Sequence, residues 1–245
     1  MKLYLVSASK NPDITRPLLE RIANALEYQQ FAHLAPFWQT AGISVKVIDN
    51  LGDMPNDDGG SSPLVIYDEP DQANVLGWHS YHEGTGLIHG TAFVNPILDH
   101  GGTLTEGSNS LSSVLSHEAI EAACDPYVNL YAFMNETTVE PIEPCDRVQG
   151  DSYVVEGVSV SNFLGPRAFR NGPGPYDWMR LLKSPWDLTD GGYCERLDIT
   201  TGKTRRIFGA GMPEWLRDFK NVKRTHALSR LSHRKMMQHI AAQGE

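Results

Sequence analysis

The sequence predicts an α+β fold: a set of β-strands, one buried helix after them, a loop-rich β region and a basic C-terminal helix. Three observations carry this. Short β-type runs are spread through the first 95 residues. Residues 111–123 are mostly apolar, as in a helix enclosed by the core. Beyond residue 150, short alternating segments are punctuated by Gly and Pro.

Residues 2–7 read as the first strand. Their apolar run is too short for a signal peptide, and Ser9-Lys10-Asn11-Pro12 follows at once. Asp13 or Thr15 opens an amphipathic helix through Leu18, Leu19, Ile22, Ala25 and Leu26. Residues 31–42 are aromatic and irregular. Strands follow near 44–48, where Val45 and Val47 alternate with polar residues, and near 64–67, with an acidic Gly/Pro-rich loop at 49–63 between them. Residues 87–95 read as a further strand, and a Gly-rich loop at 100–107 leads into the buried helix, which Pro126 ends. A hairpin is expected across Glu156-Gly157, with strands near 153–155 and 158–162. A loop-rich stretch then runs to about residue 195, and 197–199 pairs with 204–208 around Thr201-Gly202.

The buried helix holds the most informative segment, Ser116-His117-Glu118-Ala119-Ile120-Glu121. It reads H-E-x-x-E, one residue from the H-E-x-x-H zinc signature. His117 and Glu121, four residues apart, project from one helix face and can grip one metal ion. Glu118 points about 100° around the helix, toward a water on that ion. Buried His and Glu side chains need partners; a metal is one, a hydrogen-bonded pair the other. Asp125 continues the face, either as an outer partner of His117 or as a plain Asp-Pro turn. His79 and His82 form a separate H-x-x-H that lines a cleft, holds a second metal or stands at a rim.

Composition sets the bounds. At 245 residues and 40% hydrophobic, the chain can bury a full core. No apolar run approaches the roughly 20 residues that span a bilayer. Three scattered cysteines without a C-x-x-C pair argue against a thiolate cage or a disulfide framework, and for a reducing compartment. The expected location is cytoplasmic or virion-associated. Charge divides the chain: residues 1–202 carry 27 acids and 11 Lys/Arg, residues 203–245 carry 3 and 10. We therefore expect a main domain over 1–202 and a basic helical appendage over 203–245. With Leu228, Leu231, Met236, Met237 and Ile240 in a stripe, the appendage would dock on the acidic body or a protein partner rather than on nucleic acid.

The order of these elements resembles the zincin-like metallopeptidase superfamily. More narrowly, it resembles a little-characterised group of H-E-x-x-E proteins of bacterial and phage genomes. The resemblance is carried by residues 71–79, 115–126, 143–146 (Glu143-Pro144-Cys145-Asp146), 157–163 and 191–193. It implies a mixed twisted sheet packed on the H-E-x-x-E helix, with an edge strand offered to an extended peptide. A catalytic zinc site needs a third ligand. In glutamate-type zincins it is a Glu some twenty residues beyond the motif; Glu143 lies 22 positions after Glu121, with Asp146 as outer partner or substitute. Loop acids in an acidic protein are the plain alternative. The implied chemistry is a water whose pKa is lowered toward about 7, Glu118 as general base, and His79 or Tyr193 stabilising the oxyanion. Zinc is the default ion. Because a second carboxylate replaces an imidazole, Lewis acidity falls and harder ions such as Mn²⁺ or Fe²⁺ gain. Two functions follow: a peptidase-like metal-dependent hydrolase, or a non-catalytic zincin-fold structural or interaction protein, such as a phage particle component.

Overall fold

The structure, a computed structural model, describes residues 1–55, 60–70, 76–82 and 87–217, the side chains of His82 and Leu87 excepted. Its first strand, β1 (Lys2–Ser7), buries Leu3, Tyr4, Leu5 and Val6 in succession. Such a run is typical of a strand covered on both faces. Thr15 caps α1 (Arg16–Tyr28), its hydroxyl accepting the Leu18 N–H. Leu19, Ile22, Ala23 and Leu26 form the stripe that joins the sheet in the core.

The chain does not turn irregular after α1. Wide π-type turns carry Gln29–Leu34 into a short helix, α2 (Ala35–Trp38). This corrects the expectation for residues 31–42, and the reason is local. Pro36 sits in the first turn of α2, where no N–H is needed. The buried Gln29 is satisfied by tertiary partners: it donates to the Ser161 carbonyl (2.9 Å) and accepts from the Ser116 hydroxyl (2.6 Å).

Strands β2 (Ser44–Val47), β3 (Ser61–Tyr67), β4 (Gly77–His82) and β5 (Leu87–Phe93) complete a five-stranded sheet in the order β2-β1-β3-β5-β4. The pairs β1–β2, β1–β3 and β3–β5 are parallel, whereas β4 runs antiparallel to β5 at one edge. The sheet is therefore mixed. The strand expected over 87–95 stops at Phe93, because Pro96 favours the first turn of a helix, and α3 (Val94–Asp99) forms instead.

Helix α4 (Leu111–Cys124) carries the H-E-x-x-E segment and is buried from Leu111 to Ala122. Ser110 caps it, accepting the Ser113 N–H at 3.2 Å. Leu111, Val114, Leu115 and Ala119 share one core with Leu3, Leu5, Leu64 and Ile66 of the sheet and with α1.

Beyond α4, β6 (Tyr131–Phe133) and β7 (Thr138–Pro141) are followed by the expected hairpin of β8 (Ser152–Val155) and β9 (Val158–Ser161). Its turn residues Glu156 (φ 49°) and Gly157 (φ 78°) are both left-handed, as a two-residue hairpin turn requires. Strands β10 (Tyr193–Asp198) and β11 (Thr204–Phe208) join β6 and β7 in an antiparallel sheet, β11-β10-β7-β6. Because Thr204 pairs with Leu197, this sheet continues past the boundary expected at 202. Of the basic helical appendage expected over 203–245, residues 218–245 lie outside the described residues. Among the described residues, no helix is long and apolar enough to cross a membrane.

Candidate metal centre

His117 and Glu121 leave α4 one turn apart, and His117 Nε2 lies 3.1 Å from Glu121 Oε1. Two other segments close around them. Asp146 opens a 3-10 turn (Asp146–Val148) and brings Oδ1 to 3.4 Å from His117 Nε2. From the sheet side, His79 of β4 places Nδ1 3.3 Å from Glu121 Oε2 and 3.5 Å from Glu118 Oε2. Glu143 Oε2 stands 4.0 Å from His79 Nε2. Glu121 is thus the hub, each of its oxygens facing a different imidazole.

Small residues make this convergence possible. In the β4–β5 register His79 lies opposite Gly90, and Gly77 opposite Ala92. A Cβ at Gly90 would meet Leu64 Cδ1 at 2.6 Å; one at Gly77 would meet Glu118 Oε1 at 2.7 Å. Glycine at 77 lets α4 lie close against the sheet, and glycine at 90 leaves room for Leu64 of β3. On its other side, the buried Ser116 accepts the Ser161 N–H at 3.0 Å. That bond fixes the helix's rotation against β9.

The expected site residues are not all placed where the sequence reading put them. Glu143, expected as the third ligand, faces His79; the later acid beside His117 is Asp146. Tyr193, expected at the oxyanion, is buried at the start of β10, where its hydroxyl bonds Asp146. Asp125, expected as an outer partner of His117, accepts the Asn129 and Leu130 N–H groups, both at 3.0 Å. It shapes the exit from the helix, the plain Asp-Pro role. His79 is buried in a strand within the cluster instead of lining the cleft. His82 lies outside the described side chains. Cys145 was missed: its sulfur, His117 and Glu121 offer ligand atoms within 4.8 Å of one another. Its only signal in the sequence was its position inside Glu143-Pro144-Cys145-Asp146.

The electrostatics follow from burial among carboxylates. Burial opposes charge on His79, but the bonds and charges of Glu118 and Glu121 outweigh it and raise its pKa to about 9. For His117 burial is likewise outweighed, by the charge of Glu121 and the bond to Asp146, and the value rises to about 10. Burial alone would raise Glu121; the two histidines hold it well below the usual carboxylate range. Burial, then the charge of Glu121, pushes the Cys145 thiol well up.

A cleft of about 370 Å³ opens beside the cluster, lined by His117, Glu118, Gly77, Asn109, Gln149 and Trp215 among others. His117 and Glu118 are therefore the members of the cluster that reach its wall. His117, Glu121 and the Cys145 thiol, with Asp146 beside His117, form a donor set suited to a divalent transition ion. Comparison with family models, curated proteins and solved structures finds no match to this chain.

Proposed function

We propose that the chain is a metal-dependent hydrolase with a zincin-like arrangement, acting on extended peptides. The observation that carries the reading is the meeting of His117, on the wall of a cleft, with Glu121 from the next turn of α4 and Asp146 from a later segment. His117 and Glu121 would hold the ion with Asp146 or Cys145; of these two, Cys145 has its ligand atom within 4.8 Å of both. When bound, zinc or a similar divalent ion supplies Lewis acidity to a carbonyl and to water.

The chain's own groups supply the rest. Glu118 stands on the cleft wall, steadied through Oε2 by His79. It is placed to take a proton from the attacking water and return it to the leaving amine. Gly77 lines the same cleft on β4, the antiparallel edge of the sheet. An extended backbone could add along that edge. Tyr193 holds Asp146 in place.

A second reading, a non-catalytic structural or interaction protein with a metal staple, is favoured by one observation. The cluster is carboxylate-rich and nearly closed to solvent. The substitution Glu118→Gln separates the two. The hydrolase keeps the ion at His117 and loses peptide turnover by at least about 100-fold, the lower range for a general base. Undiminished turnover in Glu118→Gln, or a metal-replete preparation without metal, would overturn the hydrolase reading.

A further inference from the structure

We propose that this centre holds two divalent cations, with Glu121 as a carboxylate shared between them. The inference rests on the reading that His117, Glu121 and Asp146 bind one ion. It adds a second, held by His79 Nδ1, Glu118 Oε2 and Glu121 Oε2, whose ligand atoms lie within 4.8 Å of one another.

Three features of the His79 side point to a cation. The first is geometry. His79 Nδ1 converges with oxygens of Glu118 and Glu121 at 3.5 and 3.3 Å, and all three side chains are buried. Without an ion, a proton on Nδ1 bonds these oxygens; a cation would take that proton's place.

The second feature is charge. Among the described residues, the ion pairs of Glu118, Glu121 and Asp146 are all with the two histidines. Three carboxylates thus share two imidazoles in a nearly closed site. One divalent ion, with both imidazoles uncharged, would still leave a negative charge there. The third feature is the division of Glu121, which turns Oε1 to His117 and Oε2 to His79. A carboxylate placed this way can bridge two cations, the pattern of two-metal hydrolytic sites.

In this arrangement Glu118 binds through Oε2. Its Oε1, beside Gly77 on the cleft wall, remains available as a proton acceptor. The donor set of imidazole nitrogen and carboxylate oxygen suits Mn²⁺, Fe²⁺ or Zn²⁺.

Metal-stripped full-length protein is dialysed to equilibrium against Zn²⁺ or Mn²⁺ and assayed by elemental analysis. Wild type should take up two equivalents, and His79→Gln one. One equivalent in wild type, or two retained in His79→Gln, overturns the shared centre. No uptake at all overturns the underlying reading and this one with it. If His79→Gln does not fold, electron paramagnetic resonance of wild type saturated with Mn²⁺ decides. An exchange-coupled pair is expected; only uncoupled six-line signals would contradict it.

Discussion

The chain buries two clusters of opposite charge, and they are built differently. In the second sheet, Glu140 of β7 receives two guanidinium groups: Arg147 Nε at 2.9 Å and Arg196 Nε at 3.2 Å. Arg147 also donates to the carbonyls of Asp187 (2.9 Å) and Ala168 (2.8 Å), and its guanidinium lies 4.9 Å over the Phe169 ring. Each of these three side chains has an ionic partner inside the protein. Around α4 the balance is reversed. Carboxylates outnumber their partners, and those partners are histidines, whose charge depends on pH. The first arrangement staples a loop-rich region. In the proposed function, the positive charge missing from the second comes from a bound cation.

The largest expected effect lies in the stapled cluster. Arg147→Met leaves Glu140 with one partner and should destabilise by about 3–5 kcal/mol, as removal of one member of a buried pair does. Denaturant unfolding measures it, and metal uptake by the folded fraction should not change. In the other cluster His117→Gln should act on two quantities. Metal affinity falls by about 100-fold or more, equivalent to roughly 2.7 kcal/mol, and the metal-free protein loses the stability that charged His117 contributes beside Glu121 and Asp146. Titration calorimetry with Zn²⁺ and unfolding in chelator read the two quantities separately.

Smaller is Tyr193→Phe, which removes the hydroxyl that holds Asp146. Loss of such an outer bond costs about tenfold in metal affinity. An unchanged affinity would show that Asp146 is not a ligand or needs no support.

The last effect is a pH dependence of the metal-free protein. His79 and His117 have raised folded values, to about 9 and 10. Their contribution is fully present below the ordinary histidine value near 6.5 and is lost as pH rises through 9 to 10. Glu121 is depressed, so its contribution is present above about 4.5 and is lost as pH falls below that. Thermal midpoints in chelator should therefore decline between pH 6.5 and 10. His79→Gln should flatten part of that decline, whereas Arg147→Met should leave its slope unchanged.

What the sequence made legible follows from where information is local. Thr15, the alternation at Val45 and Val47, the Glu156-Gly157 turn and the enclosed apolar helix are short-range signals, and each element formed. Strand β4 was not foreseen because its inward positions, Gly77 and His79, are chosen for the space and chemistry beside α4, not for hydrophobic alternation. Strands β6 and β7 are short; β7 takes its place from pairing with β10, and β6 from pairing with β7. At the centre, helix geometry alone set His117 beside Glu121. The exchange of Asp146 for Glu143 beside His117 could not be read from spacing, since a turn between Pro144 and Val148 decides which acid faces which imidazole.

The central claim is that a cation is held between α4 and the Asp146 turn. Anomalous scattering from crystals grown with Zn²⁺ tests it most directly. The account predicts a peak bonded to His117 Nε2, Glu121 and Asp146 at about 2.0–2.2 Å, the usual range for such ligands. Metal-replete crystals with no peak there, and His117 bonded only to protein or solvent, would contradict it.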